Sequence, residues 1–131
     1  MIRVSGKLRF AVDTGYVIGV LKGAVSSSFA FSELAFPFAV VGGLRFGAMG
    51  GRDPQRKVAE IDEIVGRGAI LPADGETACF YAELRHRLKS AGTPLLENDI
   101  RIAAVCIQHR LPLHTLDRHF DLVDGLTIHR E

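Results

Sequence analysis

The chain has 131 residues, 47% of them hydrophobic and 24% charged. That is one domain's worth of sequence, enough to bury roughly two-thirds of its unfolded surface, and the ordinary composition excludes a disordered, collagen-like or coiled-coil chain. Sixteen basic residues against fifteen acidic ones leave a formal charge of +1, which excludes a broad basic field as the means of holding nucleic acid.

LRFAVDT (8–14) reads as a central strand whose terminal Asp-Thr caps the next helix. GYVIGVLKG (15–23) is helical, with Val17, Ile18, Val20 and Leu21 on one side and Gly23 as C-cap. AVSSSF (24–29) is a linker or weak helix, and AFPFAVV (35–41) a second strand. The apolar stretch 29–41 is thirteen residues long and contains Glu33 and Pro37. A membrane-spanning helix needs about twenty apolar residues, so this one reads as a helix end running into a buried strand. GGLRFGAMGG (42–51) is ambiguous, because its glycines oppose a helix while Leu44, Phe46 and Met49 can pack as one.

PQRKVAEIDEIVGRG (54–68) is the clearest helix: Asp53 at the N-cap, Pro54 in the first turn, and Val58, Ile61, Ile64 and Val65 in a stripe. AILP (69–72) is a third strand. A helix from Asp74 to Lys89 has Ala78, Tyr81, Leu84, Arg85 and Leu88 on its inner face. A turn-rich loop (91–98) leads to an apolar helix (99–110) opened by Asn98 or Asp99. LPLHT (111–115), a short helix at LDRHFD (116–121) and GLTIHRE (125–131) complete the order. Alternation of this kind implies a three-layer α/β/α domain over 1–131 with a mostly parallel central sheet. No internal repeat, domain linker or signal peptide is visible, and a soluble cytoplasmic protein is expected.

Ligands of such sheets bind beyond the carboxyl ends of the strands. Asp13 ends the first strand, Asp117 follows LPLHT by two residues, and Asp99 opens the apolar helix between them. Each alone is an ordinary N-cap. Together, two strand ends and a helix N-terminus bring three carboxylates to one cleft, where their repulsion is relieved by a divalent cation.

The segments DTGYVIGVLKG (13–23), FAVVGGLRFGA (38–48), GTPLLENDIRIAAVC (92–106) and LPLHTLDRHFD (111–121) resemble the successive motifs of the PIN-domain family. They are most similar to the VapC-type toxin ribonucleases of bacterial toxin–antitoxin pairs. The likeness spans nearly the whole chain and leaves out only MIRVSGK (1–7). It implies a PIN-like fold and a metal-dependent endoribonuclease, with Asp13, Asp99 and Asp117 as catalytic and metal-binding carboxylates for Mg²⁺ or Mn²⁺. It also implies that Thr115 orients Asp117 or contacts the RNA substrate. A homodimer is expected, with a cognate antitoxin lying near the acidic cleft and an antitoxin Arg pairing with the carboxylates.

Two positions depart from the family pattern. Gly15 stands where Asn is usual after Asp-Thr, and Gly43 stands where a ligand Glu is expected before L-R-x-G. Three readings of Gly43 are open: degeneracy to a partner-binding protein, replacement by Glu97 or Asp121, or a one-base Glu-to-Gly change that disarms a toxin in its host. Catalytic groups act as a unit, so a missing carboxylate lowers turnover while leaving the fold intact. The rival class is a non-catalytic PIN-fold module that binds antitoxin or RNA. A phospho-receiver domain is excluded, because the acid after the third strand is the displaced Asp74 and no Lys follows Lys89.

The remaining candidates have plainer readings. The five histidines share no metal-ligand spacing, and the glycines at 42–51 match no phosphate-binding loop. Arg45 reads equally as a phosphate contact or a solvent-facing residue. Arg52, Arg56 and Lys57 read as a wet helix side, the phenylalanines at 29, 31, 36, 38 and 46 as core with part exposed to a partner, and Cys79 and Cys106 as buried reduced thiols.

Overall fold

The computed structural model describes residues 8–27 and 29–130. Short apolar runs become strands because each is stopped by a residue suited to opening a helix or turn. The first, β1 (Phe10–Val12), is wholly buried and ends at Asp13. The Asp13 side chain accepts a hydrogen bond from the Tyr16 amide and caps α1 (Thr14–Leu21), as the Asp-Thr junction predicts.

A 3-10 turn, Phe31–Glu33, leads into β2 (Leu34–Pro37). Here the strand expected over 35–41 is cut short. Pro37 occupies the N-cap position and α2 (Phe38–Met49) starts at the next residue. Each internal glycine costs a helix about 1 kcal/mol relative to alanine, so α2 is held by packing rather than propensity. Ala39, Val40 and Leu44 are its buried side, whereas Phe46 and Met49, expected to pack with Leu44, face solvent.

The helix α3 (Pro54–Arg67) buries Ile61, Ile64 and Val65. Asp53 precedes it but does not cap it: its backbone is left-handed, with φ 50°, and its side chain makes no capping bond. After β3 (Ala69–Leu71), Asp74 and Thr77 form a reciprocal capping box on α4 (Gly75–Ser90). The inner face of α4 is Thr77, Leu84 and Leu88 with Tyr81 half-buried, while Ala78 and Arg85 are exposed, contrary to expectation. The apolar helix α5 (Glu97–His109) begins two residues before Asp99, after a Leu96 N-cap without a side-chain bond. β4 (Leu113–His114), a 3-10 turn at Arg118–Leu122 and β5 (Ile128–His129) follow.

All strand pairs are parallel, in the order β3-β2-β1-β4-β5. With the five helices this makes the expected three-layer α/β/α domain. The main core joins β1, β2 and β4 to α1, α2, α3 and α5, and a smaller cluster seats Leu84 and Leu88 against Ile100, Ala103 and Val123. Cys106 lies in the main core, where burial pushes its thiol up to about 12, but Cys79 is exposed, which corrects the reading of two buried thiols. Among the described residues no helix is long and apolar enough to cross a membrane.

One glycine is demanded by space. A Cβ at Gly68 would stand 2.3 Å from the Leu34 carbonyl oxygen and 2.7 Å from the Phe36 ring. Gly68→Ala is therefore expected to destabilise the domain by at least ~2 kcal/mol, through overpacking against backbone that cannot yield. Urea unfolding of the two proteins measures this; an unchanged midpoint would contradict the close approach.

Candidate active site

The parallel pairing of β1 with β4 sets Val12 level with His114, so Asp13 and Thr115 leave the sheet side by side. The Thr115 hydroxyl donates to Asp13 Oδ2 and accepts from the Asp117 amide at 3.0 Å. Asp13 Oδ1 accepts from the Tyr16 amide at 2.9 Å. Both oxygens of this buried carboxylate are thereby oriented. Asp117 Oδ1 accepts from the His119 amide at 2.9 Å and lies 2.9 Å from the same residue's Nδ1. Asp99, in the first turn of α5, completes the group and makes no side-chain hydrogen bond among the described residues.

Asp13, Asp99 and Asp117 line one cavity of about 370 Å³, together with Thr14, Tyr16 and Ile102. No Lys or Arg among the described residues lines it. Burial is the main cause that raises the Asp13 pKa above its ordinary value; the Thr115 and Tyr16 bonds oppose it and the Asp117 charge adds to it. Asp99 is also raised, first by burial and then by repulsion from Asp117 and Asp13, with His119 opposing.

The structure thus brings the three predicted carboxylates to one cavity, and of the two roles expected of Thr115, orienting Asp117 or contacting RNA, its bonds fit the first. It is fully buried and spends its hydroxyl on Asp13 and the Asp117 amide, which makes it a positioning residue. Glu97 and Asp121, weighed as substitutes for the missing acid, are engaged elsewhere. Glu97 meets the Tyr81 hydroxyl, Arg85 and Arg101, and Asp121 pairs with Arg130 at 2.9 Å. Arg45 is bound to Asp62 on α3 and does not line the cavity. His119, which the Asp-x-His spacing lets approach the site although a solvated orientation is the plainer expectation, is exposed but meets Asp117 Oδ1 through its amide and Nδ1. His114, by contrast, is buried and pairs with His129 Nδ1 at 2.8 Å.

Gly43, on α2, does not line the acidic cavity; it lines a neighbouring one with Ile18, Lys57 and Glu60, and approaches the site at Thr14. A Cβ built there would meet Thr14 Oγ1 at 3.5 Å, an ordinary contact, and that hydroxyl is buried without a hydrogen-bond partner. A larger side chain therefore has room to start, and a waiting donor beside it.

Among the described residues no three His, Cys, Asp or Glu side chains are grouped closely enough to ligate one ion by themselves. The donor chemistry nonetheless fits a hard divalent cation. Such ions take oxygen ligands, and Mg²⁺ keeps several waters while binding through one or two carboxylates. Asp99 and Asp117, which line the cavity and repel each other, are suited to that mode. Asp13 is the third member, with its orientation already set.

The PIN domain family model matches residues 11–126. Ribonuclease VapC2 of Haemophilus influenzae is 30% identical over 102 residues, covering 74% of this chain and 77% of that protein. Ribonuclease VapC5 of Mycobacterium tuberculosis is 38% identical over 63 residues, and this match spans about half of either protein, 48% of this chain and 47% of the relative. A solved member of the VapBC family of toxin–antitoxin systems, VapBC-5 from M. tuberculosis, aligns with TM-score 0.72 at 27% identity, covering 93% of this chain and 96% of that one. The chain belongs to the PIN-domain family. Within it, the likeness is to the VapC-type ribonucleases.

Replacing Asp99 by Asn tests the electrostatics. A carboxylate whose folded pKa is raised binds its proton more readily in the folded state, so its ionisation removes stability as pH rises from the unfolded pKa through the folded one. Asp99→Asn is expected to raise Tm at pH 7 and to lose that advantage as pH falls toward 4 and below. Thermal melts across that range decide the matter; an equal or lower Tm at pH 7 would contradict the repulsion.

Proposed function

We propose that this chain is a metal-dependent endoribonuclease toxin of a toxin–antitoxin pair, hydrolysing RNA phosphodiester bonds with turnover lowered by Gly43. The observation that carries the reading is the meeting of Asp13, Asp99 and Asp117 in one cavity at the carboxyl edge of the sheet, in a member of the PIN-domain family. The cation is Mg²⁺ or Mn²⁺, held by Asp99 and Asp117 with Asp13 as the third carboxylate. When bound, it supplies Lewis acidity and a more acidic water for attack on phosphorus.

The protein's own residues do the rest. Thr115 and the Tyr16 amide fix Asp13 so that its charge does not swing away from its neighbours. The amide of His119 holds Asp117. Asp99, with no side-chain hydrogen bond among the described residues, leaves its carboxylate for the cation. With no Lys or Arg among the described residues lining the cavity, the bare acids would repel a phosphate until a cation offsets them.

The partners in this reading are an RNA substrate, a cognate antitoxin and a second copy of the chain. The antitoxin follows from the VapBC-5 relative, which is a toxin–antitoxin system. The location is cytoplasmic, and residues 1–131 act as a single PIN domain. A second reading, a non-catalytic PIN-fold module that binds antitoxin or RNA, is favoured by one observation: the glycine at 43 beside an unpartnered Thr14 hydroxyl.

Cleavage of a mixed structured-RNA pool by the chain and its Gly43→Glu variant separates the two. The variant is expected to cut at least about tenfold faster with Mg²⁺ or Mn²⁺, and not at all with EDTA. Equal cutting by both would mean that three carboxylates suffice. Metal-independent silence from both would leave the binding module as the better account.

A further inference from the structure

A second cavity, of about 230 Å³, opens on the same edge of the sheet and is lined by Phe38, Asp74, Tyr81 and Arg101. The parallel register explains why it adjoins the acidic one. Ala11 stands level with Ala35, which carries Asp13 level with Pro37 and puts Phe38 one residue further along the neighbouring strand line. Pro37 in turn pairs with Leu71, so Asp74 leaves the next strand over. Adjacent strands lie about 4.8 Å apart, so the cavities are one to two strand spacings from each other. The first turns of α5 form their common wall: Asp99 and Ile102 line the acidic cavity, Arg101 the second.

The lining has the character of a planar, uncharged ligand. Phe38 is 41% exposed although Leu34, Ala35, Phe36 and Val40 around it in sequence are wholly buried, so part of an aromatic ring is left open to this cavity. The charges of Arg101 and Asp74 oppose each other, which disfavours a phosphate. The Asp74 carboxylate is an oriented acceptor: Oδ1 takes the Thr77 amide, the Thr77 hydroxyl and Gln108 Nε2 at 3.0–3.1 Å, and the Glu76 amide further favours its ionised form. Unpaired RNA bases are held by aromatic faces and guanidinium planes and read on their edges by hydrogen bonds.

We propose that this cavity is a subsite for one unpaired nucleobase of the RNA strand, stacked on Phe38 and donating an edge N–H to Asp74, next to the phosphodiester in the acidic cavity. The inference rests on the ribonuclease reading above. It assigns Phe38 and Arg101 to substrate binding and predicts a preference for single-stranded over double-stranded RNA, because a paired base cannot enter.

The test is fluorescence anisotropy of a labelled mixed-sequence single-stranded RNA decamer with Ca²⁺ in place of Mg²⁺ and Mn²⁺, so that a cation offsets the acids, with cleavage by the Gly43→Glu variant in Mg²⁺ or Mn²⁺ measured in parallel. Phe38→Ala is expected to weaken binding roughly tenfold, Phe38→Trp to retain it, and Ala78→Leu, which fills the cavity from α4, to weaken it without touching Phe38. The salt dependence should be unchanged in Phe38→Ala, since stacking releases no counterions. Wild-type affinity in Phe38→Ala, with a folded circular dichroism spectrum, overturns the subsite; cleavage by Gly43→Glu in the same case leaves the ribonuclease reading standing. A free mononucleotide that competes as well as the decamer also overturns it, because the site would then act independently of the strand. No RNA binding together with no cleavage by Gly43→Glu removes both.

Discussion

The Thr115 hydroxyl sits between the ends of two neighbouring parallel strands and bonds to both, giving its proton to Asp13 and receiving one from the Asp117 amide. Without that bridge, the buried carboxylate at the end of β1 would keep only the Tyr16 amide, and nothing would tie it to the Asp117 turn. Burial disfavours the ionised form of Asp13 and the Asp117 charge disfavours it further, so the two hydrogen bonds to Asp13 are what keep an anion tolerable there. The cost of the acidic cavity is thus met inside the fold, by groups that never reach solvent. Asp99 has no such support, and its charge is the one left most in need of an outside partner.

Gly43 shows how far a site and its scaffold are separable. The buried side of α2 is Ala39, Val40 and Leu44, and none of them depends on what projects from position 43. The helix packs on the sheet whether or not a carboxylate stands there. What records the difference is the Thr14 hydroxyl, next to Asp13, buried and without a partner. An unsatisfied buried hydroxyl is unfavourable, by about 1–3 kcal/mol in mutational series, so the present residue carries a small local penalty as well as a chemical one.

Much of the architecture was legible because local signals agreed with the global pattern. Asp-Thr at 13–14 marked a strand end and a cap, and the Ile61–Ile64–Val65 stripe marked α3. The α2 boundary was not legible: seven apolar residues from Ala35 to Val41 look continuous, and only the fixed φ of Pro37 as an N-cap divides strand from helix. The three carboxylates were found because strand ends in a parallel sheet point one way. Thr115 and His119 were harder, since their roles depend on hydrogen bonds across residues 102 apart and on the shape of a 3-10 turn, neither of which leaves a periodic trace. Gly43 was visible as a departure, yet its neighbour Thr14 acquires meaning only once α1 and α2 are packed.

The sheet also limits how another protein can take hold of this one. Its two outer strands, β3 and β5, are three and two residues long. A visiting strand laid along either edge would find backbone groups for only two or three ladder bonds, too few to fix its register. Strand addition to either edge would therefore give a partner little hold. The same brevity guards the sheet against edge-to-edge aggregation.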